Sequence, residues 1–203
     1  MMNPRFRVLN RDPLYDYRED CKITQGIDMK LQNTFFTPKN GDETEYWIKQ
    51  ITANHSCIRS VHFRFVAEAS KSVVMQIIRA TKGHPQPEVQ SSRPDWTGKE
   101  RSSDPYEDKL FMQDHTAESF IEMAKQRLCK RTEANTRKFM ELLVETLKAE
   151  KDPFLKAVGY CCAPACEWLG GRCPEINCCG KCPKLSTEFI ELYHKEEKEN
   201  GKM

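Results

Sequence analysis

The sequence predicts an α+β domain, and three observations carry that expectation. Residues 62–65 alternate His62 and Arg64 with Phe63 and Phe65, the period-2 pattern of a half-buried strand. Several other stretches repeat apolar residues at intervals of three and four, the period of an amphipathic helix. The 203 residues suit one domain with a core of its own.

Taken in order, residues 5–10 (RFRVLN) read as a short strand, with Pro13 beyond its end. Pro38, Asn40 and Gly41 mark a turn. Asp42 or Thr44 can then cap a short helix whose apolar stripe is Trp47, Ile48 and Ile51, a stripe that belongs to a core. His55 falls in the loop before the 62–65 strand. After the strand, Ser70 is placed to cap a helix with Val73, Val74, Ile77 and Ile78 on one face. Gln76 and Arg79, three apart, share another face near its C-terminus. Past Gly83 the chain becomes polar and proline-punctuated, and Gln90, Ser91, Ser92 and Arg93 form a close group of donors.

Residues 95–114 are hydrophilic, contain Pro105 and show no period, so they read as a long excursion, either a lid or a surface insertion. A helix beginning at Thr116 and running to about Lys130 has Phe120, Ile121, Met123 and Ala124 on its apolar side. A second pattern, from about Thr132 to Ala149, places Phe139, Leu142, Leu143, Thr146 and Leu147 at helical spacing. No breaker separates the two patterns, so they could run on as one helix. Arg127 and Arg131, four apart, would then point the same way. The end of the chain, from Ser186, reads as a short helix through Phe189, Ile190 and Tyr193 followed by a charged tail. The division expected is one domain over 1–185, with a cysteine-rich segment at 159–183, and a tail over 186–203.

Charged residues make up 31% of the chain, but the formal net charge is only +2, which argues against bulk attraction to nucleic acid or a membrane surface. No run approaches the roughly 18 apolar residues of a spanning helix. The first twenty residues are polar and lack a signal-peptide core, so the expected setting is soluble and cytoplasmic. Ten cysteines in a reducing compartment point to free thiols or a metal rather than to disulfides. Seven of them lie between Cys161 and Cys182. Thiolates at that density suit a soft metal, either tetrahedral zinc or an iron–sulfur cluster, with Cys162, Cys166, Cys173, Cys179 and Cys182 as the candidate ligands. Cys179 and Cys182 form the one clean C-x-x-C half-site, and no histidine falls within the segment. The alternative is a loop with structural thiols.

The central stretch resembles the flavin-dependent thymidylate synthases (the ThyX family). Their signature is a strand with F-x-F, ten residues, a helix reading Q-x-x-R-H-R, and a loop that closes in S-x-R-Y. Phe63-Arg64-Phe65, the ten-residue spacing to Gln76-Ile77-Ile78-Arg79, and Ser91-Ser92-Arg93 match it. Ala80 stands where the family has the middle His, Thr81 (or Lys82) where it has the second Arg, and Pro94 where it has Tyr. The loop is two residues longer, and Arg59-Ser60 replaces a Glu-His pair before the strand. A later family pattern, R-x-x-x-[RH]-A-Q-x-E-I-R, is matched by Arg127, Arg131 and Arg137, with Glu133 and Asn135 replacing its Gln and Glu. The tail outline G-P-x-C, C-P-E-G and C-G-K is approached by residues 159–162, by Cys173-Pro174-Glu175 and by Cys179-Gly180-Lys181. The match spans about 54–93 and 127–181.

The resemblance implies a ThyX-like domain in which a small mixed or antiparallel sheet packs with helices, and a homotetramer whose active sites are shared between subunits. It implies methyl transfer to carbon 5 of a uracil nucleotide, dUMP. FAD supplies the hydride, methylene-tetrahydrofolate the carbon and NADPH the recharging of the flavin. Arg127 and Ser91 inherit the catalytic positions, with Arg127 supporting the ring anion and Ser91 orienting the substrate. Gln76, Arg79, Gln90, Ser91, Ser92, Arg93 and Arg127 inherit the nucleotide. Arg79, Lys82, His84, His55 and Arg131 inherit the flavin. Two other outcomes stay open: a related pyrimidine hydroxymethylase or methylase, and a flavin-free, metal-stabilised interaction module.

Overall fold

In the computed structural model, residues 4–10, 13, 16–17, 20–21, 43–80, 87–98, 100 and 102–183 are described. β1 (Arg5–Val8), β2 (His62–Ser70), β3 (Glu88–Val89) and β4 (Asp108–Thr116) form one sheet in the order β1-β2-β4-β3, antiparallel at every step. Residues 13, 16–17 and 20–21 are helical, and the helices that follow are α1 (Glu43–Ala53), α2 (Lys71–Ala80), the short α3 (Pro94–Thr97), α4 (Ala117–Arg127), α5 (Ala134–Ala149), α6 (Pro153–Cys161) and the short α7 (Ala165–Trp168). A 3₁₀ turn over Ser56–Ser60 leads from α1 into β2. The architecture is therefore α+β around a small antiparallel sheet. Among the described residues, no helix is long and apolar enough to cross a membrane.

β2 behaves as its alternation predicts: Phe63, Phe65, Ala67 and Ala69 are fully buried while the residues between them are half exposed. Phe6 of β1, Phe120 of α4 and Phe154 of α6 close around Phe63 and Phe65, with ring centroids 5.5–6.3 Å apart. Trp47 of α1 completes the layer 5.1 Å from Phe154. The helical stripes read from the sequence are also buried: Val73, Val74 and Ile77 in α2, the four named residues of α4, and Phe139, Leu143 and Leu147 in α5. Ile48, Ile78, Leu142 and Thr146 are only partly covered.

The long excursion expected over 95–114 is corrected. Its start forms α3, and from Asp108 onward it is β4, the strand that pairs with the whole length of β2. The alternation was hidden because β4 faces the core with Lys109, Phe111, Gln113 and His115, three of them polar. Each is satisfied locally, as burial requires. The Lys109 ammonium pairs with Glu107 at 2.9 Å, and the ring nitrogens of His115 lie 3.0 Å from Ser119 Oγ and 3.4 Å from Gln113 Oε1. The His115 ring also stacks on Phe65 at 5.7 Å.

Two smaller expectations change for similar reasons. The first amides of α2 donate to the carbonyls of Glu107 and Pro105, both at 2.9 Å, while Ser70 Oγ lies against Ser72 Oγ; the helix start is held by a facing loop rather than by a Ser70 cap. α4 and α5 are separate helices, and α4 stops at Arg127 instead of near Lys130. The Glu133 carboxylate accepts the amides of Asn135 and Thr136 at 2.9 and 2.8 Å and so starts a new helix. Thr132 Oγ1 donates to the Gln126 carbonyl and Arg137 Nη1 to that of Lys130, tying down the link between them. Arg131 lies in that link, exposed, so it shares no helical face with Arg127. α6 lies directly on α5 because Gly159 has no side chain: a Cβ there would stand 2.8 Å from the Lys148 amide nitrogen.

Candidate functional site

The C-terminal ends of α2 and α4 bring Arg79 and Arg127 together. Both sit in the last turn of their helix, where the carbonyl end of the helix dipole favours a cation. Burial lowers the Arg127 pKa from its usual range, and the neighbouring Arg79 charge lowers it further. A guanidinium stays charged under such pressure. Arg127 Nε is buried with no hydrogen-bond partner, and no carboxylate among the described residues pairs with either arginine. Gln76, half-buried, is one turn before Arg79 on α2. The structure thus gathers two fixed positive charges and an unused buried donor.

The second group, 90–93, lies at the β3 edge of the sheet. The Gln90 amide and side chain bracket the Leu110 backbone, the former donating to its carbonyl at 2.8 Å and Oε1 accepting its N–H at 3.2 Å. Ser91 Oγ accepts the Arg93 amide at 3.1 Å, and the Arg93 guanidinium holds Asp95 at 2.6 Å. Ser92 is half-buried beside them. No hydrogen bond or ion pair among the described residues joins this group to Arg79 or Arg127. His55 stands exposed at the start of the 3₁₀ turn, and Arg131 is exposed in the α4–α5 link. Lys82 and His84 lie outside the described residues, as does the tail expected from Ser186.

The cysteines separate into two environments. Cys161 and Cys162 end α6 inside the core, where burial raises both thiol pKa values; Cys162 Sγ donates to the Val158 carbonyl at 3.2 Å. Cys166, Cys173, Cys179 and Cys182 instead line one cavity with Cys129, Lys125, Lys130 and Lys181. Beside it Cys178 Sγ donates to the Cys182 carbonyl at 3.1 Å and accepts the Gly180 amide at 3.3 Å. Cys162 is therefore apart from the other four predicted ligands. Among the described residues no group of three or more His, Cys, Asp or Glu is already placed to hold a metal ion.

Sequence reasoning missed Cys129, which lines this cavity, Cys178, whose Sγ donates to the Cys182 carbonyl at 3.1 Å, and Asp114. Cys178 is four residues from Cys182, a spacing that could have been weighed beside C-x-x-C. Cys129 carried no local signal. Asp114 grips Arg64 of the F-x-F strand through both carboxylate oxygens, at 2.5 and 2.7 Å, directly across the β2–β4 pair. That pairing lowers the Asp114 pKa and gives the central Arg a structural partner. No model of a known protein family matches the chain, and no curated protein matches it either.

Proposed function

We propose that the protein is a flavin-dependent enzyme acting on carbon 5 of a uracil nucleotide such as dUMP, the chemistry of the flavin-dependent thymidylate synthases that its central motif resembles. The observation that carries this reading is the pairing of Arg127, whose buried Nε–H is unused, with exposed Arg79, whose charge acts on it. Such a pair fits an anionic ligand that offers oxygens to a guanidinium: a phosphate, through two of its oxygens, or a pyrimidine ring carrying negative charge along its carbonyl edge.

In this reading FAD would supply the hydride, methylene-tetrahydrofolate the carbon, and NADPH the reducing equivalents. The chain's own share is to bind and to hold charge. Arg127, partly desolvated, donates from Nε to the ring anion as it forms, where a preformed cation is worth most. Arg79 takes the phosphate or the second ring oxygen, and Gln76 one turn away supplies an amide donor and acceptor. Ser91, whose Oγ already accepts the Arg93 amide, orients the nucleotide and does not attack it. Gln90, Ser92 and Arg93 reach the same ligand from a second subunit, and the working form is a homotetramer. His55, Arg131, Lys82 and His84 serve the flavin.

The test is the visible spectrum of the purified protein with and without added FAD, followed by titration with dUMP. A flavin spectrum perturbed by dUMP, and weakened in its response by Arg127→Ala, is the expected result. A protein that takes up no FAD and binds no dUMP by equilibrium dialysis overturns the reading. Product mass after incubation with methylene-tetrahydrofolate and NADPH separates methylation from hydroxymethylation.

A further inference from the structure

The passage from α4 into α5 carries more positive charge than the whole chain. Residues 127–138 hold Arg127, Lys130, Arg131, Arg137 and Lys138 against one carboxylate, Glu133, which is engaged in capping α5. These five cations and one anion make +4 where all 203 residues together make +2, so the rest of the chain is net acidic. A concave surface lined by one sign of charge concentrates the field of such a cluster.

A cleft of about 510 Å³ opens beside this passage, walled by Leu128, Lys130, Arg137, Glu141, Pro164 and Lys181. Lys130 is exposed, and its ammonium has no partner among the described residues. The Arg137 guanidinium is oriented rather than neutralised. Its Nη1 donates to the Lys130 carbonyl at 3.2 Å, while Glu141 Oε1 stands 3.6 Å from its Nε, beyond hydrogen-bonding distance. Most of its planar fork of N–H donors is therefore unused. Lys181 differs, because Glu167 holds it at 2.9 Å; it shapes the rim.

We propose that this cleft binds a small anionic molecule through a phosphate or carboxylate group set between Lys130 and Arg137, with Leu128 and Pro164 against its apolar part. A guanidinium fork grips two oxygens of either group, and the flanking ammonium adds a point charge. The volume falls within the ~300–1,000 Å³ usual for small-molecule sites, which favours a compact ligand over a nucleic-acid strand. None of the walls belongs to the residues assigned to the uracil nucleotide or the flavin, so the cleft stands whether or not that reading does.

The experiment is calorimetric titration of the full chain with inorganic pyrophosphate and, separately, with citrate, in saturating FAD and dUMP. Saturable binding of one probe per chain is expected, and the tighter of the two names the group recognised. Arg137→Ala should weaken it at least about tenfold, the loss of a charge-assisted hydrogen bond, and Lys130→Ala about threefold. Lys130 is exposed, so that variant remains readable if Arg137→Ala fails to fold. Lys138→Ala, on α5 but outside the cleft, should leave the affinity unchanged. A wild-type chain that binds neither probe overturns the proposal. So does binding abolished by FAD or dUMP, which would put the anion in their sites, or binding weakened as much by Lys138→Ala as by Lys130→Ala, which would make it a diffuse surface attraction.

Discussion

Arg127 and Lys125 stand two residues apart on α4, yet they serve opposite corners. Arg127 meets Arg79 at the end of α2, where positive charge accumulates with no carboxylate among the described residues to balance it. Lys125 lines the cysteine cavity, where Lys125 and Lys181 already hold Glu122 and Glu167, at 2.5 and 2.9 Å. The guanidinium charge is present at any working pH, so the first corner is set for an anion before one arrives. At the second corner the charges of Lys125 and Lys181 are already answered by carboxylates, so they add no comparable excess. One helix end thus borders an unbalanced cluster of charge and a balanced one.

The comparison can be broken most directly at Arg127. Arg127→Ala should weaken dUMP binding by about 10- to 100-fold, the cost of losing a charge-assisted hydrogen bond. Calorimetric titration measures it, and the melting temperature should not fall, because the charge removed is an uncompensated one. Arg127→Lys should not restore affinity, since an ammonium lacks the planar fork. Retained affinity in either variant would place the anion elsewhere.

Gly159→Ala should separate the corners. The added methyl meets the Lys148 amide at 2.8 Å, so α6 must move off α5, at a cost of about 1–3 kcal/mol in a urea melt. The displacement should reach the segment that follows α6 and speed amide exchange there, while nucleotide binding at the α2–α4 corner stays unaltered.

Glu133→Ala removes the cap that starts α5 and should cost about 1 kcal/mol in thermal unfolding. Because residues 128–133 follow directly on Arg127, dUMP should also bind somewhat more weakly. Unchanged dUMP affinity would show that this link does not position Arg127.

The smallest effect expected is that of pH on Asp114, the counter-example to Arg127: here an arginine has its carboxylate. Arg64 holds the Asp114 pKa below its ordinary value of 3.8. That stabilisation is fully present above 3.8 and is lost as the pH falls through the lower folded value. Asp114→Asn should therefore be less stable than the wild type near neutrality, and the two should converge in acid. Urea melts across a pH series would show it, and a constant gap would exclude the pairing as the cause.

How much of this was legible in the sequence differs by element. β2 was readable because apolar and polar residues alternate on it without exception from His62 to Phe65. α2, α4 and α5 were readable because their buried faces are made of Val, Ile, Leu, Phe and Met. β4 was not, because a pattern of apolar against polar cannot reveal a strand whose buried side is Lys109, Gln113 and His115. Those residues are tolerable inside only because Glu107 and Ser119 come to meet them. Arg79 and Arg127 were each singled out, but nothing local stated that they would be neighbours.

The sequence by itself determined the class of the fold, the stripes that make its core, and the residue types available for chemistry. These follow from side-chain periodicity and composition, which are local. Only the tertiary structure decided that α4 ends at Arg127, that β4 pairs with β2 along its full length, and that Cys162 is buried apart from the cavity lined by Cys166, Cys173, Cys179 and Cys182. Those outcomes depend on partners distant in the chain, where a buried polar group is stable only if the rest of the fold delivers a hydrogen bond to it.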